Sequence, residues 1–373
     1  MSWLIDSVHY DCRYYIGEKP CAFKEICHQC TEYSPMGKRV LIIKLGAMGD
    51  VLRTTPLLRS ILKQPGNHHI TWIAEKVSAP LFVHNDMVDR VWTAGWEIIP
   101  LLLNERFDVL YCLDKEPKAI AVAAIAKATE KYGFIADEKG NLHPANPEAD
   151  YAFLLGLHDY MKFEKNEKSY QQIMFEACKF TFSGEEYVFN LTSDEAESGR
   201  RHLKKRGVGS HKAIGVNTSA GEVFATKRWS KNATVKAIKL IKDMDMTPVL
   251  LGGPEEILRN AEILKEAGNG VVDAGCDNSL RHFASIIAAL DAIIVTDSLA
   301  MHLAIAAKTP IVALFGPTCP REVELYGLGE KVVSSPDCAP CYKSSCDHHK
   351  CMEEITPEAV VATLKRVLES SSK

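Results

Sequence analysis

Short runs of aliphatic and β-branched residues, each closed by Gly, Asp, Ser or Thr, alternate along this chain with longer stretches whose apolar residues recur at helical spacing. In the first half, residues 39–44, 70–74 (Ile-Thr-Trp-Ile-Ala) and 107–113 (Phe-Asp-Val-Leu-Tyr-Cys-Leu) read as strands. In the second half the same signal recurs at 213–217, 248–252, 270–273, 292–296 and 310–315. Helical stretches fall at 51–63 and at 117–130, the latter rich in alanine. Pro56 lies inside the first of these and should kink it or limit where it starts. Apolar strands alternating with helices imply mostly parallel sheets covered by helices on both faces. A polar stretch around 181–193 separates the halves, and Thr192 with Glu195 fits a capping box opening a charged helix.

The expected fold class is therefore α/β, with two facing Rossmann-like domains and the active site in the cleft between them. The expected divisions are a cysteine-rich segment at 1–36, an N-terminal Rossmann-like domain at 37–188, a C-terminal Rossmann-like domain at 189–335, and a second cysteine-rich segment with a C-terminal helix at 336–373. A length of 373 residues suits two cores better than one. The composition, 46% hydrophobic and 25% charged, is that of an ordinary globular protein. A formal net charge of -4 disfavours a bulk nucleic-acid binder. No apolar run approaches the roughly 20 residues a spanning helix needs. The start, MSWLIDSVHYDC, lacks the basic and apolar regions of a signal peptide, so a cytoplasmic location is expected.

Chemistry gathers at the strand exits. The strand Val40–Ile43 runs into a loop holding Gly46 and Gly49, and Asp50 follows where a helix should begin. The loop lacks one glycine of the dinucleotide fingerprint, and a carboxylate at a sheet's carboxyl edge suits catalysis better than phosphate binding. The plain alternative for Asp50 is a helix N-cap. Glu75, after the second strand, stands where a dehydrogenase would keep a ribose-binding acid. Asp297 and Ser298 follow the strand at 292–296; either can cap the next helix, whose free amides favour phosphate oxygens. His302 lies one turn beyond Ser298, as a ligand donor or as a packed core histidine. Gly316, Pro317 and Thr318 close the strand after that. Thr218 and Ser219, with Lys227 downstream, suit a diphosphate and its neutralising charge, although Lys227 and Arg228 read equally as a solvated basic surface. Glu255 and Glu256 could hold a sugar hydroxyl or simply enrich a helix's first turn.

Lys44-Leu-Gly-Ala-Met-Gly-Asp-Val-Leu52, Lys227-x-Trp229, Leu251-Gly-Gly-Pro-Glu255, Asp297-Ser-x-x-x-His302 and Phe315-Gly-Pro-Thr318 together resemble the ADP-heptose:lipopolysaccharide heptosyltransferases, glycosyltransferase family 9, over roughly residues 38–320. The resemblance implies a GT-B fold and inverting transfer from an ADP-sugar. It implies that Asp50 is the general base toward the acceptor hydroxyl and that Lys227 stabilises the leaving diphosphate. Thr218, Ser219, Glu255, Asp297, Ser298, His302, Gly316 and Thr318 then belong to the donor site. The segment between Ser219 and Lys227 is longer than the common family pattern, and the cysteine-rich head is an addition to it. Arg53, Arg59 and Lys63 follow Asp50 near helical periodicity and are candidates for an anionic acceptor, or a solvated helix face. Lysine and helix amides suffice to neutralise a diphosphate, so no catalytic metal is expected.

Twelve cysteines are unusual for that compartment. Cys112, Cys178, Cys276 and Cys319 are scattered and read as small core hydrophobes. Cys12, Cys21, Cys27 and Cys30 form one group that closes with C-x-x-C; Cys338, Cys341, Cys346 and Cys351 form another that opens with it. Each suits a structural tetrahedral site for zinc or iron, and one site drawn from both ends is also open. Some protein-modifying relatives in the resembled family hold iron with carboxyl-terminal cysteines. His28, His348 and His349 are spare donors.

The leading expectation is heptose transfer from ADP-heptose to a lipopolysaccharide inner-core acceptor, with peripheral contact at the inner membrane face and no nucleic-acid partner. A sister reading changes the acceptor to protein or another envelope glycan. A nicotinamide-dependent oxidoreductase is the alternative from another class, and the missing glycine weighs against it. A nucleic-acid-binding protein built on the cysteine groups is disfavoured by the charge.

Overall fold

The computed structural model describes residues 2–221, 223–334 and 336–370. Glu222, inside the long segment before Lys227, and residues 371–373 of the expected frayed tail lie outside the described residues. The chain divides into two compact units. The first comprises Met1–Gly46, Leu57–Phe153 and Met174–Thr181; the second comprises Ala47–Pro56, Leu154–Ile173 and Phe182–Lys373. The expected boundaries treated 37–188 as one continuous domain, whereas residues 47–56, which carry Asp50, cluster with the second unit.

The first unit is built on β1 (Lys38–Ile43), β2 (His68–Ala74), β3 (Arg90–Thr93), β4 (Arg106–Cys112), β5 (Lys127–Ala136) and β6 (Leu142–Pro144). The order is β3-β2-β1-β4-β5-β6, parallel except for the β5–β6 pair. The inner strands read as unbroken apolar runs because both their faces are covered: β2 is buried along its whole length, and β1 from Val40 onward. The alanine-rich stretch at 117–130 is a helix only over Pro117–Ile125, after which β5 begins. Alanines on both sides of that junction hide the change of period. The edge strand β3 gives no apolar run because its burial alternates.

The second unit holds β7 (Ala213–Asn217), β8 (Thr247–Leu250), β9 (Val272–Asp273), β10 (Ala292–Thr296), β11 (Ile311–Phe315) and β12 (Gly329–Val333), all parallel in the order β12-β11-β10-β7-β8-β9. Renumbered from its own first strand, this is the same doubly wound order as in the first unit. Its switch point, where ligands are placed in such sheets, lies between β7 and β10. Trp229, fully buried, packs with Ile214, Val216 and Ile238 against Val360 and Leu364 of the C-terminal helix Pro357–Ser370, and its indole N–H donates to Ile355 O at 2.8 Å. The C-terminal helix therefore belongs to the core of the second unit. The capping box of Thr192 and Glu195 is present and opens the helix Ser193–Lys205. No helix among the described residues is long and apolar enough to cross a membrane.

Candidate functional site

In the first unit, the switch point between β1 and β4 is filled by the protein's own charges. Lys44, at the exit of β1, pairs with buried Asp114, whose carboxylate also accepts from the backbone amides of Leu45 and, at 2.9 Å, Gly46. Three donors that could have met an anion are thus spent on an internal acid, and the loop that precedes Asp50 is anchored by it. Sequence reading missed this pair, although Asp114 sits just past an apolar strand, the same signal that singled out Asp297. Glu75, the candidate ribose ligand, instead pairs with Lys118 at 2.6 Å.

The second unit gathers the remaining chemistry. Pro56 separates the helices Met48–Thr54 and Leu57–Leu62. Ala47, not Asp50, stands at the cap of the first, so the plain N-cap reading of Asp50 does not hold. Asp50 lies in the first turn, and its carboxylate meets Arg53 Nη2 at 2.9 Å. The Arg53 guanidinium lies over the Tyr170 ring, 3.6 Å from its centroid. Burial works to lower its pKa, but Asp50 and Tyr170 outweigh burial and raise it. Arg53 is thus a half-buried partner of Asp50. The break at Pro56 also places Arg59 and Lys63 in the other unit, so the three cations do not share one helix face.

Gly49 brings this helix against His302. A Cβ on Gly49 would stand 2.6 Å from His302 Cδ2, so only glycine permits the approach. His302 is buried, and its Nδ1 lies 3.0 Å from the Tyr187 hydroxyl, which accepts from Gln171 Nε2 at 3.2 Å. That network assigns the hydroxyl proton to Nδ1 and the imidazole's own proton to Nε2. Burial first, then Arg53, push the His302 pKa down to about 4, so the ring is neutral at pH 7. Asp50, Asp297 and Lys227 also act electrostatically on His302, which makes these residues one charged cluster.

Lys227 closes the short turn Ala225–Lys227 and donates to Asp297 Oδ2 at 3.0 Å and to its carbonyl at 3.2 Å. Burial works to raise the Asp297 carboxyl, but Lys227 and His302 together hold it below the usual carboxylate range. Ser298 occupies the cap position of the helix Leu299–Ala306, yet its hydroxyl makes no capping bond, contrary to the sequence expectation. Its Oγ is buried with no hydrogen-bond partner, and so is Thr318 Oγ1 at the exit of the neighbouring β11. Buried hydroxyls are normally satisfied. The two orphans stand at neighbouring strand exits, Ser298 at the amino end of a helix whose free amides favour anions.

The other proposed donor residues support the loops. Thr218 Oγ1 meets Thr234 Oγ1 at 2.9 Å in the core. Ser219 donates to Glu256 Oε1 at 2.9 Å, and Glu256 Oε2 accepts from Gly253 N at 2.7 Å. Glu256 is therefore the buried, bonded acid of this loop, and Glu255 is its exposed neighbour. Gly316 is obligatory, because a Cβ there would lie 2.4 Å from Met352 Sδ.

Of the scattered cysteines, Cys112, Cys178 and Cys319 are buried and Cys276 half-buried. The two grouped sets each line one cavity: Cys338, Cys341, Cys346 and Cys351 a space of about 30 Å³, and Cys12, Cys21, Cys27 and Cys30 one of about 200 Å³. Among the described residues no three Cys, His, Asp or Glu side chains are drawn together as ion ligands. The two ends also lie in different units, each with its own cavity.

The family model for glycosyltransferase family 9 (heptosyltransferase) matches residues 96–352. The chain belongs to glycosyltransferase family 9. Lipooligosaccharide heptosyltransferase 2 of Campylobacter jejuni is 30% identical over 167 residues, 43% of this chain and 52% of that protein; the chain thus spans about half the length of such relatives. Lipopolysaccharide heptosyltransferase 1 of Escherichia coli K12 is 23% identical over 318 residues, 80% of this chain and 94% of that protein. The solved structure of E. coli ADP-heptose lps heptosyltransferase II superposes with a TM-score of 0.66 at 19% identity, covering 90% of this chain and all of that one, so the GT-B heptosyltransferase fold is shared.

Proposed function

We propose that this protein is an inverting heptosyltransferase that moves a heptose from ADP-heptose to a lipopolysaccharide inner-core hydroxyl. The observation that carries the reading is the pair of orphaned buried hydroxyls, Ser298 and Thr318, beside the Lys227–Asp297 pair at a doubly wound switch point. They suit the oxygens of a diphosphate, and the relatives named above are heptosyltransferases. In the reaction the acceptor oxygen attacks the anomeric carbon as the bond from that carbon to the diphosphate oxygen breaks, which inverts the centre. Asp50 takes the acceptor's proton, and Arg53 holds its carboxylate in place. Lys227 neutralises the charge that gathers on departing ADP. His302, neutral, presents Nε2–H as a donor without adding a second cation. Base catalysis of this kind contributes about 10²–10⁴ in rate. A lipid-linked acceptor places the enzyme at a membrane face.

The carboxyl-terminal thiols are the donor type for a structural zinc or iron ion. Cys338, Cys341, Cys346 and Cys351 line one space of about 30 Å³, with His348 and His349 beside them. The module is tied to both donor loops: Thr226 donates to Lys343 O at 2.7 Å, and the amides of Cys341 and Tyr342 both reach Pro317 O at 2.9 Å. An ion there would hold Lys227 and Thr318 in register and take no part in bond making.

The test is incubation with ADP-heptose and candidate glycan and protein acceptors, read by mass spectrometry, together with Asp50→Asn. The variant should fold and bind ADP while losing at least about 10²-fold in transfer. No turnover of any ADP-sugar by the native chain would overturn the reading, and full activity in Asp50→Asn would remove the base.

A further inference from the structure

The amino-terminal cysteines are left unused by heptosyl transfer, and the segment that holds them is inside out. None of residues 4–39 is buried. Between Tyr14 and Tyr33 every residue is exposed except Cys21, Cys27 and Cys30, which are half-buried. Its large apolar side chains, Tyr14, Tyr15, Ile16, Phe23, Ile26 and Tyr33, form no buried interior: all stay exposed, and several pack only in ring pairs, as Tyr14 does with Phe23 at 4.9 Å between centroids. Regular structure between Tyr14 and Tyr33 is confined to the single turn Cys27–Gln29.

The ends of this loop are nevertheless closed. Cys12 and Pro35 form an antiparallel bridge, with Arg13 N donating to Ser34 O and Met36 N to Asp11 O, both at 2.8 Å. Arg13 also pairs with Asp89, and Asp89 Oδ2 accepts from Ile70 N in β2, which fastens the neck to the sheet of the first unit. Inside the neck the chain makes tight turns at its cysteines: Lys24 N donates to Cys21 O and Cys30 N to Cys27 O, each at 3.1 Å. All four thiols line one open cavity of about 200 Å³, together with Tyr14, Tyr15, Phe23 and Tyr33.

We propose that Cys12, Cys21, Cys27 and Cys30 ligate one thiophilic metal ion, zinc or iron, which serves as the core of this module. A loop of this length with no buried apolar side chain lacks the means to offset its ordering entropy, and thiolate–metal bonds supply it. The four thiols line the cavity without being drawn together as a ligand set, and an ion would close the cavity around itself. The site is distinct from the carboxyl-terminal thiols and does not depend on the reaction the enzyme performs.

Metal content of the full chain, purified under reducing conditions without added chelator, tests this. The double variant Cys27→Ser/Cys30→Ser should carry about one equivalent less zinc or iron than the native chain, whereas Cys341→Ser/Cys346→Ser should keep that equivalent. Trypsin should cut faster after Lys24 in the first variant only. Should that variant fail to fold, differential alkylation of the native chain replaces it: Cys12, Cys21, Cys27 and Cys30 should be protected until a mercurial displaces the metal. Unchanged metal content in Cys27→Ser/Cys30→Ser, disulfides among these four cysteines, or alkylation of the native chain at the rate of the denatured one would each overturn the proposal.

Discussion

Gly49→Ala separates helix propensity from packing at the turn that carries Asp50. Gly49 sits in the first turn of the helix Met48–Thr54, so propensity alone predicts that alanine stabilises by up to about 1 kcal/mol. The new Cβ would stand 2.6 Å from His302 Cδ2 and 3.4 Å from Nε2. The ring cannot retreat cheaply, being 5% exposed and bonded to Tyr187. Overpacking of this kind costs about 1–3 kcal/mol, and loss of the Tyr187 bond adds about 1 kcal/mol. The net is a destabilisation of about 1–3 kcal/mol, or a fall in melting temperature of about 2–10 °C for a unit of this size. The transfer rate should fall further than the stability does, because the displaced helix moves Asp50 and Arg53. Calorimetry and steady-state kinetics on the same preparation give both quantities. Gly209→Ala is the control, since a Cβ there meets nothing within 4 Å and its φ is not left-handed. A Gly49→Ala protein that melts at or above the native temperature with unchanged kcat would refute the packing argument.

The low pKa of His302 makes stability depend on pH in a defined window. Its folded value of about 4 lies below the ordinary 6.5, so the unfolded chain binds the extra proton. The contribution is complete above pH 6.5 and is lost as pH falls toward 4, a span of about 3 kcal/mol. Melts between pH 4.5 and 7.5 should show this slope in the native protein and a shallower one in His302→Gln; equal slopes would disprove it. Lys227→Met should destabilise by about 1–3 kcal/mol by stranding Asp297, and should weaken ADP binding. Adding Asn at position 297 should restore the melting temperature but not ADP affinity, as titration calorimetry would report. Recovery of both would make the lysine purely structural.

Much of this architecture was legible in the chain. Val40–Ile43, Ala292–Thr296 and Ile311–Phe315 announce themselves because a central parallel strand is covered on both faces and so admits only apolar residues. Their exits announce themselves too, since a strand must leave the sheet through small or polar residues. That is why Asp50, Asp297, Ser298, Gly316 and Thr318 stood out before any fold was known. The edge strands β3 and β12 did not, because a half-exposed strand has no apolar run.

Which candidate does what was decided only in three dimensions. The pattern that marks Asp297 also marks Asp114, but Asp114 is occupied by Lys44 and two backbone amides, whereas Asp297 holds Lys227 beside hydroxyls left without partners. Arg53, Arg59 and Lys63 look alike in sequence, yet one is paired with Asp50 and the others lie in a different unit. The two cysteine groups read alike in sequence, and only burial separates them: Cys351 is buried in the second unit's core, whereas Cys12, Cys21, Cys27 and Cys30 are half-buried in a segment with no buried residue from 4 to 39. Local sequence determines which chemistry a strand exit carries, because backbone geometry and burial restrict residue type there. Whether that chemistry is spent internally or left for a ligand depends on which groups arrive from distant parts of the chain, and pairing across such distances is a property of the tertiary structure alone.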